Sequence, residues 1–361
     1  MNGTMTWVGL DVHARSTHAA AIDVRTGELR RARFGGGSEE VVRWLAGLPA
    51  PSRVVYEAGP TGFALYRAAR AEGLAIDVVA PSKTARPAGD RVKTDRKDAE
   101  LLARLGLAGQ LRAISVPSEF VESVRHLARV REQARRDLMR ARHRVSKLLL
   151  AHGRVFDDAG AWSVRHRQWL QRQRFDEPAT ELAFADLVAA VDGLTTRKRA
   201  LEERLSRLAC DERLWPTVAR LRAFRGIDTL TALVLHLELG GDWQRFHSPR
   251  PLFAWLGLTP SLDQSGQSKT QGAISKTGSV YARRLLVESA WHYAREPRIG
   301  IALKTRQHEA PDHVLQIAWR AQLRLHRLHH RLRDRGKPHN VATIAVAREL
   351  AGFLWAAATA P

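Results

Sequence analysis

The chain has 361 residues, enough for two or three domains and a sizeable core, and its 44% hydrophobic against 26% charged residues exclude a disordered polypeptide. Fifty-eight Lys and Arg against 37 Asp and Glu leave a formal charge of +21, which points to a polyanionic partner, nucleic acid first. The single cysteine, Cys210, excludes an intrachain disulfide framework and a cysteine-based zinc cluster, and it suits a reducing, cytoplasmic compartment. No secretory signal is apparent at the N-terminus. The apolar stretch Val341 to Ala360 is interrupted by Arg348 and Glu349 and reads as a core-facing helix rather than a membrane span.

In chain order, Thr6 to Leu10 predicts a strand that ends at Asp11. His18 to Val24 predicts a second, and Gly27-Glu28 turns into a third around Leu29 to Phe34. Gly35 to Gly37 break the chain. Ser38 with Glu39 and Glu40 then starts a helix with Val41, Trp44 and Leu45 on its apolar face. Arg53 to Tyr56 is a strand ending at Glu57, Phe63 to Glu72 a helix, Ala75 to Val79 a strand and Asp98 to Leu107 a helix. Three strands as a meander followed by β-α-β-α is the order of an RNase H-like (RuvC-like) domain, assigned to 1–115.

From about Val121 the period becomes helical. Val124, Leu127, Ala134, Leu138, Ala141, Val145 and Leu148 form one stripe, interleaved with Arg125, Arg129, Arg131, Arg135, Arg136, Arg140, Arg142, Arg144 and Lys147. A second helix over about Ala179 to Cys210, with Leu182, Leu187, Val191, Leu194, Leu201 and Leu205 on one side, completes a coiled-coil arm over 116–212. Its basic face is either a solvated surface or a track for a phosphate backbone. The remainder, 213–361, is a mostly α C-terminal domain. In it Phe224 to Asp228 resembles a helix-hairpin-helix turn, whose helix start can hold a phosphate, although an ordinary helix turn fits as well. After Trp255 to Pro260 a polar, glycine-bearing loop runs to Gly278.

Four acids stand out by position. Asp11 and Glu57 end strands that are neighbours in an RNase H-like sheet, and Asp95 and Asp98 lie three apart at a helix start, on one face. Taken singly, each has an ordinary alternative as a solvated strand end, a helix cap or a dipole partner. Taken together they are a site for hard divalent cations, which relieve the repulsion and, as a pair, act on phosphodiesters. Lys93, Arg96 and Lys97 flank the last two acids and are candidate phosphate contacts, as are Arg135, Arg136, Arg142, Lys269, Lys276 and Arg283.

The segments Gly9-Leu10-Asp11-Val12-His13, Tyr56-Glu57-Ala58-Gly59-Pro60-Thr61-Gly62 and Lys93-Thr94-Asp95-Arg96-Lys97-Asp98-Ala99 resemble those of DEDD-type transposases of the insertion-sequence one-ten family. So do Gly226-Ile227-Asp228, Phe253 to Pro260 and Ser275-Lys276-Thr277-Gly278, in the same order over nearly the whole chain. The resemblance implies that Asp11, Glu57, Asp95 and Asp98 bind Mg²⁺, as two ions. It also implies that Ser265, in Asp263 to Ser268, is a nucleophile forming a phosphoserine link to DNA. By composition alone Ser265 is an ordinary loop serine, with Ser261, Ser268 and Ser275 as rivals. The same resemblance implies a guiding non-coding bridge RNA and homodimers assembling to a tetramer. The alternatives are a RuvC-like junction resolvase or RNase H-fold nuclease using activated water, and a nucleic-acid-binding protein without catalysis.

Overall fold

The computed structural model describes residues 5–80, 95–158, 160–265 and 268–361; of residues 263–265, 268, 269 and 271 it describes the backbone alone. It is a mixed α/β chain that divides into two units, Met1–Val116 and Pro117–Pro361.

The first unit holds a five-stranded mixed sheet. Strands β1 (Thr6–Val12), β2 (Ser16–Asp23), β3 (Leu29–Gly35), β4 (Ser52–Glu57) and β5 (Ala75–Val79) lie in the order β3-β2-β1-β4-β5. β1 pairs antiparallel with β2 and parallel with β4, and β5 extends β4 in parallel. The helices are α1 (Ser38–Ala46), α2 (Ala64–Ala71) and α3 (Asp95–Leu107). Alternation along β1 divides its side chains between the two faces of the sheet. Val8 and Leu10 join Val54, Tyr56, Val41 and Leu65 in one buried cluster.

The opposite face of β1 receives α3. A Cβ at Gly9 would collide with the Ala99 carbonyl oxygen and come within 2.5 Å of the Ala103 nitrogen, so only glycine permits this approach. Two residues earlier, the Trp7 indole rests where a Cβ on Gly106 would be, 2.6 Å from the ring. The helix is thus held flat along the strand.

Among the described residues, the second unit is helical apart from one hairpin. Helices α4 (Glu119–Ala151) and α6 (Pro178–Leu208) pack on one another, with α5 (Val164–Gln171) between them in sequence. Val124, Ala134, Leu138, Ala141 and Val145 of the α4 stripe are buried, as are Val191, Leu201 and Leu205 of α6. Leu182 does not join them: it is 71% exposed, and Phe184 takes the core position instead. The larger core is built by α7 (Trp215–Arg222), α8 (Thr229–Glu238), α9 (Pro249–Trp255), α10 (Val280–Ala290), α11 (Ile301–Gln307), α12 (Asp312–Asp334) and α13 (His339–Thr359). By length and composition α13 is apolar enough to cross a membrane, but Val346, Ala347, Leu350, Ala351 and Leu354 belong to this core. The turn at Phe224–Asp228 connects α7 to α8. Gly226 sits against the backbone of Ser289, and Asp228 caps α8 by accepting from the Thr231 N–H at 2.7 Å. The glycine of the turn therefore serves packing.

The segment read from sequence as a polar loop is a two-stranded antiparallel hairpin. Its strands are β6 (Pro260–Ser265) and β7 (Ser268–Ile274), and Ser265 pairs with Ser268.

Two outcomes follow from this packing. Gly9→Ala sets a methyl group against backbone that cannot rotate away, at a cost of about 2 kcal/mol. Hydrogen exchange in residues 95–107 of the full chain is therefore expected to speed up by roughly 30-fold relative to wild type. His236, buried in α8, accepts from Trp243 Nε1–H at 3.1 Å, and burial pushes its pKa down to about 4. Between pH 6.5 and 4 the unfolded chain takes up a proton that the folded chain refuses, so stability falls as pH falls through that window. The loss reaches at most about 3 kcal/mol. Thermal melts of His236→Gln, which keeps an acceptor, are expected to show a shallower decline across the same pH range.

Candidate active site

The geometry of β1 and α3 sets the chemistry at the end of the sheet. Strand β1 pairs Leu10 with Tyr56 of β4, so the next residues, Asp11 and Glu57, emerge side by side from the ends of parallel neighbours. Across the other edge, Asp11 is the register partner of His18 in β2. Because α3 lies on the Gly9 face, its first turn, with Asp95 and Asp98, comes to the Asp11 end of the strand.

Three side chains converge. His13 Nε2 lies 3.1 Å from Asp11 Oδ2 and 3.6 Å from Asp95 Oδ1, while His18 Nε2 lies 3.8 Å from the other Asp95 oxygen. Ligand atoms of Asp11, His13 and Asp95 all fall within 4.8 Å of one another, a spacing that one metal ion can span. Burial raises the Asp11 pKa; the hydrogen bond and charge of His13 work against this, and the Asp95 and Asp98 carboxylates add to the rise. Asp11 is thus a carboxylate whose negative charge is under-compensated by the protein. With the Asp95 carboxylate and the His13 imidazole it makes a donor set that suits a divalent cation, with the carboxylates favouring the harder ions. Among the described residues, the converging group does not extend to Glu57 or Asp98, although Asp98 is close enough to act electrostatically on Asp11.

His13 and His18 were not among the residues singled out from sequence. His13 had a usable signal, since i and i+2 on a strand share a face. His18 had none, because its place beside the acids depends on the β1–β2 register.

The predicted basic contacts separate into distinct environments. Lys93 lies outside the described residues, and Arg96 and Lys97 are exposed on the first turn of α3. Arg135 and Arg136 do not stand free on α4. Both hold the buried Glu132 carboxylate, at 2.9 and 3.0 Å, and Arg284 of α10 reaches it at 2.8 Å. Burial would raise the Glu132 pKa, but these three guanidiniums outweigh it and hold the carboxyl below its ordinary range. Arg142 lies over the Trp162 ring at 5.0 Å, its Nε buried without a partner.

Arg283 corrects a sequence expectation. Read as a candidate phosphate contact, it is 9% exposed, and its Nη1 donates to the carbonyl oxygens of Leu256 at 2.8 Å and Thr277 at 2.7 Å. Leu256 caps the end of α9, while Thr277 follows β7, so one guanidinium joins the two roots of the hairpin. Glycines make this junction possible. A side chain at Gly278 would strike the Trp255 carbonyl oxygen, and one at Gly257 (φ +65°) would strike the Thr277 backbone. Ser275 N–H donates to Thr259 O at 2.9 Å and Lys276 N–H to Gly257 O at 3.1 Å, closing the base of the hairpin. Lys276 itself is exposed and adopts φ +56°. The hydroxyls of the rivals Ser261 and Ser275 are engaged at this base, with Ala273 O and Thr277 Oγ1 respectively. Ser265 and Lys269 lie at the far end of the hairpin, on β6 and β7.

Comparison with known proteins agrees with the order of these parts. Residues 8–153 match the DEDD transposase family model of the IS110 type, and residues 218–301 match the family described as Transposase IS116/IS110/IS902. A Sinorhizobium fredii protein named "Putative transposase y4qE" is 39% identical over 98% of this chain and 88% of its own length. The transposase for insertion sequence element IS1533 of Leptospira borgpetersenii is 31% identical over 92% of this chain and 97% of its own. The transposase for insertion sequence element IS1328 of Yersinia enterocolitica is 26% identical over 80% and 84%. A chain with relatives this similar over nearly its full length, and with both family regions in sequence, belongs to the IS110 family of transposases.

Proposed function

We propose that this chain cuts and rejoins the DNA of an insertion sequence by transesterification, with a divalent cation at the end of β1 and Ser265 as nucleophile. The observation that carries the first half is the convergence of Asp11, His13 and Asp95, with Asp98 and Glu57 beside them. The sheet order β3-β2-β1-β4-β5, three antiparallel strands followed by two parallel ones, supports an RNase H-like reading of the first unit. Asp11, Glu57, Asp95 and Asp98 would hold Mg²⁺, with His13 fixing the orientation of Asp11. Bound there, the cation supplies a Lewis acid against a phosphodiester oxygen.

The serine half rests on family resemblance and on the built base of the hairpin. The Ser265 oxygen attacks phosphorus, the P–O bond to the 3′ oxygen breaks, and that oxygen leaves as a hydroxyl after taking up a proton. A 3′ hydroxyl of the second duplex then displaces the serine, so the number of phosphodiester bonds is conserved and no ATP is consumed. The arm of α4 and α6 is read as the assembly element of a homodimer that pairs into a tetramer. A guiding RNA is supported by the resemblance and is compatible with the charge of +21.

A cation that binds the folded chain alone must stabilise it. Millimolar Mg²⁺ or Mn²⁺ is expected to raise the melting temperature of the wild-type chain by several degrees, about the response to 1–2 kcal/mol. Asp11→Asn should abolish the rise; an unchanged rise in that variant would place the cation elsewhere. The function itself is tested by incubating the protein with Mg²⁺, its element's junction DNA and the adjoining transcript, then separating products on a denaturing gel. A covalent protein–DNA adduct is expected, absent from both Ser265→Ala and Asp11→Asn. Cleavage without an adduct, unaffected by Ser265→Ala, would replace the serine with activated water.

A further inference from the structure

Four of the five arginines of helix α12, Arg320, Arg324, Arg327 and Arg331, follow one another at spacings of four, three and four residues. That spacing puts them in one stripe, about 16 Å long at about 1.5 Å rise per residue. All four are exposed. Arg324 pairs with Glu349 of α13 at 2.7 Å; among the described residues, Arg320, Arg327 and Arg331 have no carboxylate within ion-pairing distance. Like charges three and four apart on a helix repel, and on this stripe the fold answers only one of the four.

The stripe borders a groove. A cavity of about 920 Å³ between α9, α12 and α13 is lined by Phe253, Phe353, Arg250, Arg348 and Thr259, and also by the paired Arg324 and Glu349. Its surface is mainly carbon, with arginines around it. The absence of a side chain at Gly352, where a Cβ would lie 3.0 Å from the Phe253 ring, keeps it open. Thr259 is the residue immediately before β6, so the groove adjoins the root of the hairpin.

We propose that the stripe and the groove form a track for a single DNA strand, with phosphates on Arg320, Arg327 and Arg331 and unpaired bases against Phe253 and Phe353. Arginine on backbone phosphate and aromatic rings on base faces are the two means by which single strands are held without regard to sequence. A length of about 16 Å meets roughly three to five phosphates, depending on how far the strand is extended. A duplex would satisfy the arginines but leave the aromatic groove unused, because its bases are already stacked. The inference rests on the reading of the chain as an enzyme that opens and rejoins DNA.

The test measures binding of fluorescent 20-nucleotide dT, a 20-base-pair DNA duplex and a 20-nucleotide RNA to the full chain over a range of salt. Wild type is compared with Arg320→Ala/Arg327→Ala/Arg331→Ala, with Phe353→Leu and with Asp11→Asn. The triple variant alters exposed side chains only, and its melting temperature confirms folding. For dT, its slope of log affinity against log salt should fall by about 2, at roughly 0.7 for each phosphate that no longer has an arginine to neutralise it. Phe353→Leu keeps an apolar side chain but removes the ring face, and should weaken dT at least about fivefold while leaving the slope unchanged. Unchanged dT affinity and slope in the triple variant, with Asp11-dependent cleavage intact, would overturn the track and leave the proposed function standing. Losses confined to the duplex or to RNA also overturn it, as they assign the stripe to a different polynucleotide. Wild type that binds no DNA at all defeats the functional reading itself.

Discussion

The contact between β1 and α3 at Gly9 fixes where the acidic site can be. Four residues of strand separate Trp7 from Asp11, about 13 Å; eight residues of helix separate Asp98 from Gly106, about 12 Å. The two lengths agree, so a helix anchored by Trp7 on Gly106 and pressed against Gly9 ends with its first-turn carboxylates beside Asp11. Any side chain at position 9 would lift the helix at the middle of this span. The second carboxylate pair is thus placed by packing, with no covalent or ionic link required to bring acids of like charge together.

That arrangement works against the stability of the unit. The raised pKa of Asp11 records a negative charge held in partial burial with two further carboxylates nearby, and the hydrogen bond from His13 offsets only part of it. The opposing face of the same strand supplies the compensation, because Val8 and Leu10 are fully buried among Val54, Tyr56 and Leu65. One strand divides the two tasks by its alternation. Its even positions make the core, and its odd positions carry the helix contact and the acid. A cation entering the site would relieve the unfavourable half without disturbing the favourable one.

Most of the first unit was legible because each element there had a local signal: short apolar runs in β1, β4 and β5, acidic first turns in α1 and α3, and glycine breaks between them. That Asp11, Glu57, Asp95 and Asp98 stand near strand and helix ends was legible too. What was missed depends on partners remote in sequence. His18 joins the site through strand register; His13, two residues from Asp11, is the exception with a local signal. The β6–β7 hairpin has no alternation of apolar and polar residues to mark it, since Pro260–Ser265 and Ser268–Ile274 are polar throughout much of their length. Leu182 fits the helical stripe of α6 by period, yet is exposed, because periodicity says which face a residue shares and not how far along the helix the partner extends. Arg283 is the hardest case. An arginine amid Lys276 and Arg284 looks like surface charge, whereas the fold uses its Nη1 to connect two backbone carbonyls.

The fate of Arg283 bears on how a charge of +21 should be read. Arginines in the second unit act in two ways that a charge count cannot separate. Around Glu132, three guanidiniums converge on one buried carboxylate, and Arg129 similarly holds Glu238, whose side chain is 2% exposed and also accepts from the Ser279 hydroxyl at 2.6 Å. These cations are taken up by the fold and tie α4 to α8 and α10. Those of the outer face of α12 are left largely without internal partners. A polyanion responds to the second kind, because a guanidinium already satisfied by a buried carboxylate must break that bond before it can take a phosphate, and doing so would strip a charged partner from a carboxylate in a nonpolar setting. The basic residues of α4 that look most like a phosphate track in the sequence are therefore partly committed to building the protein, and uncommitted charge also lies on α12.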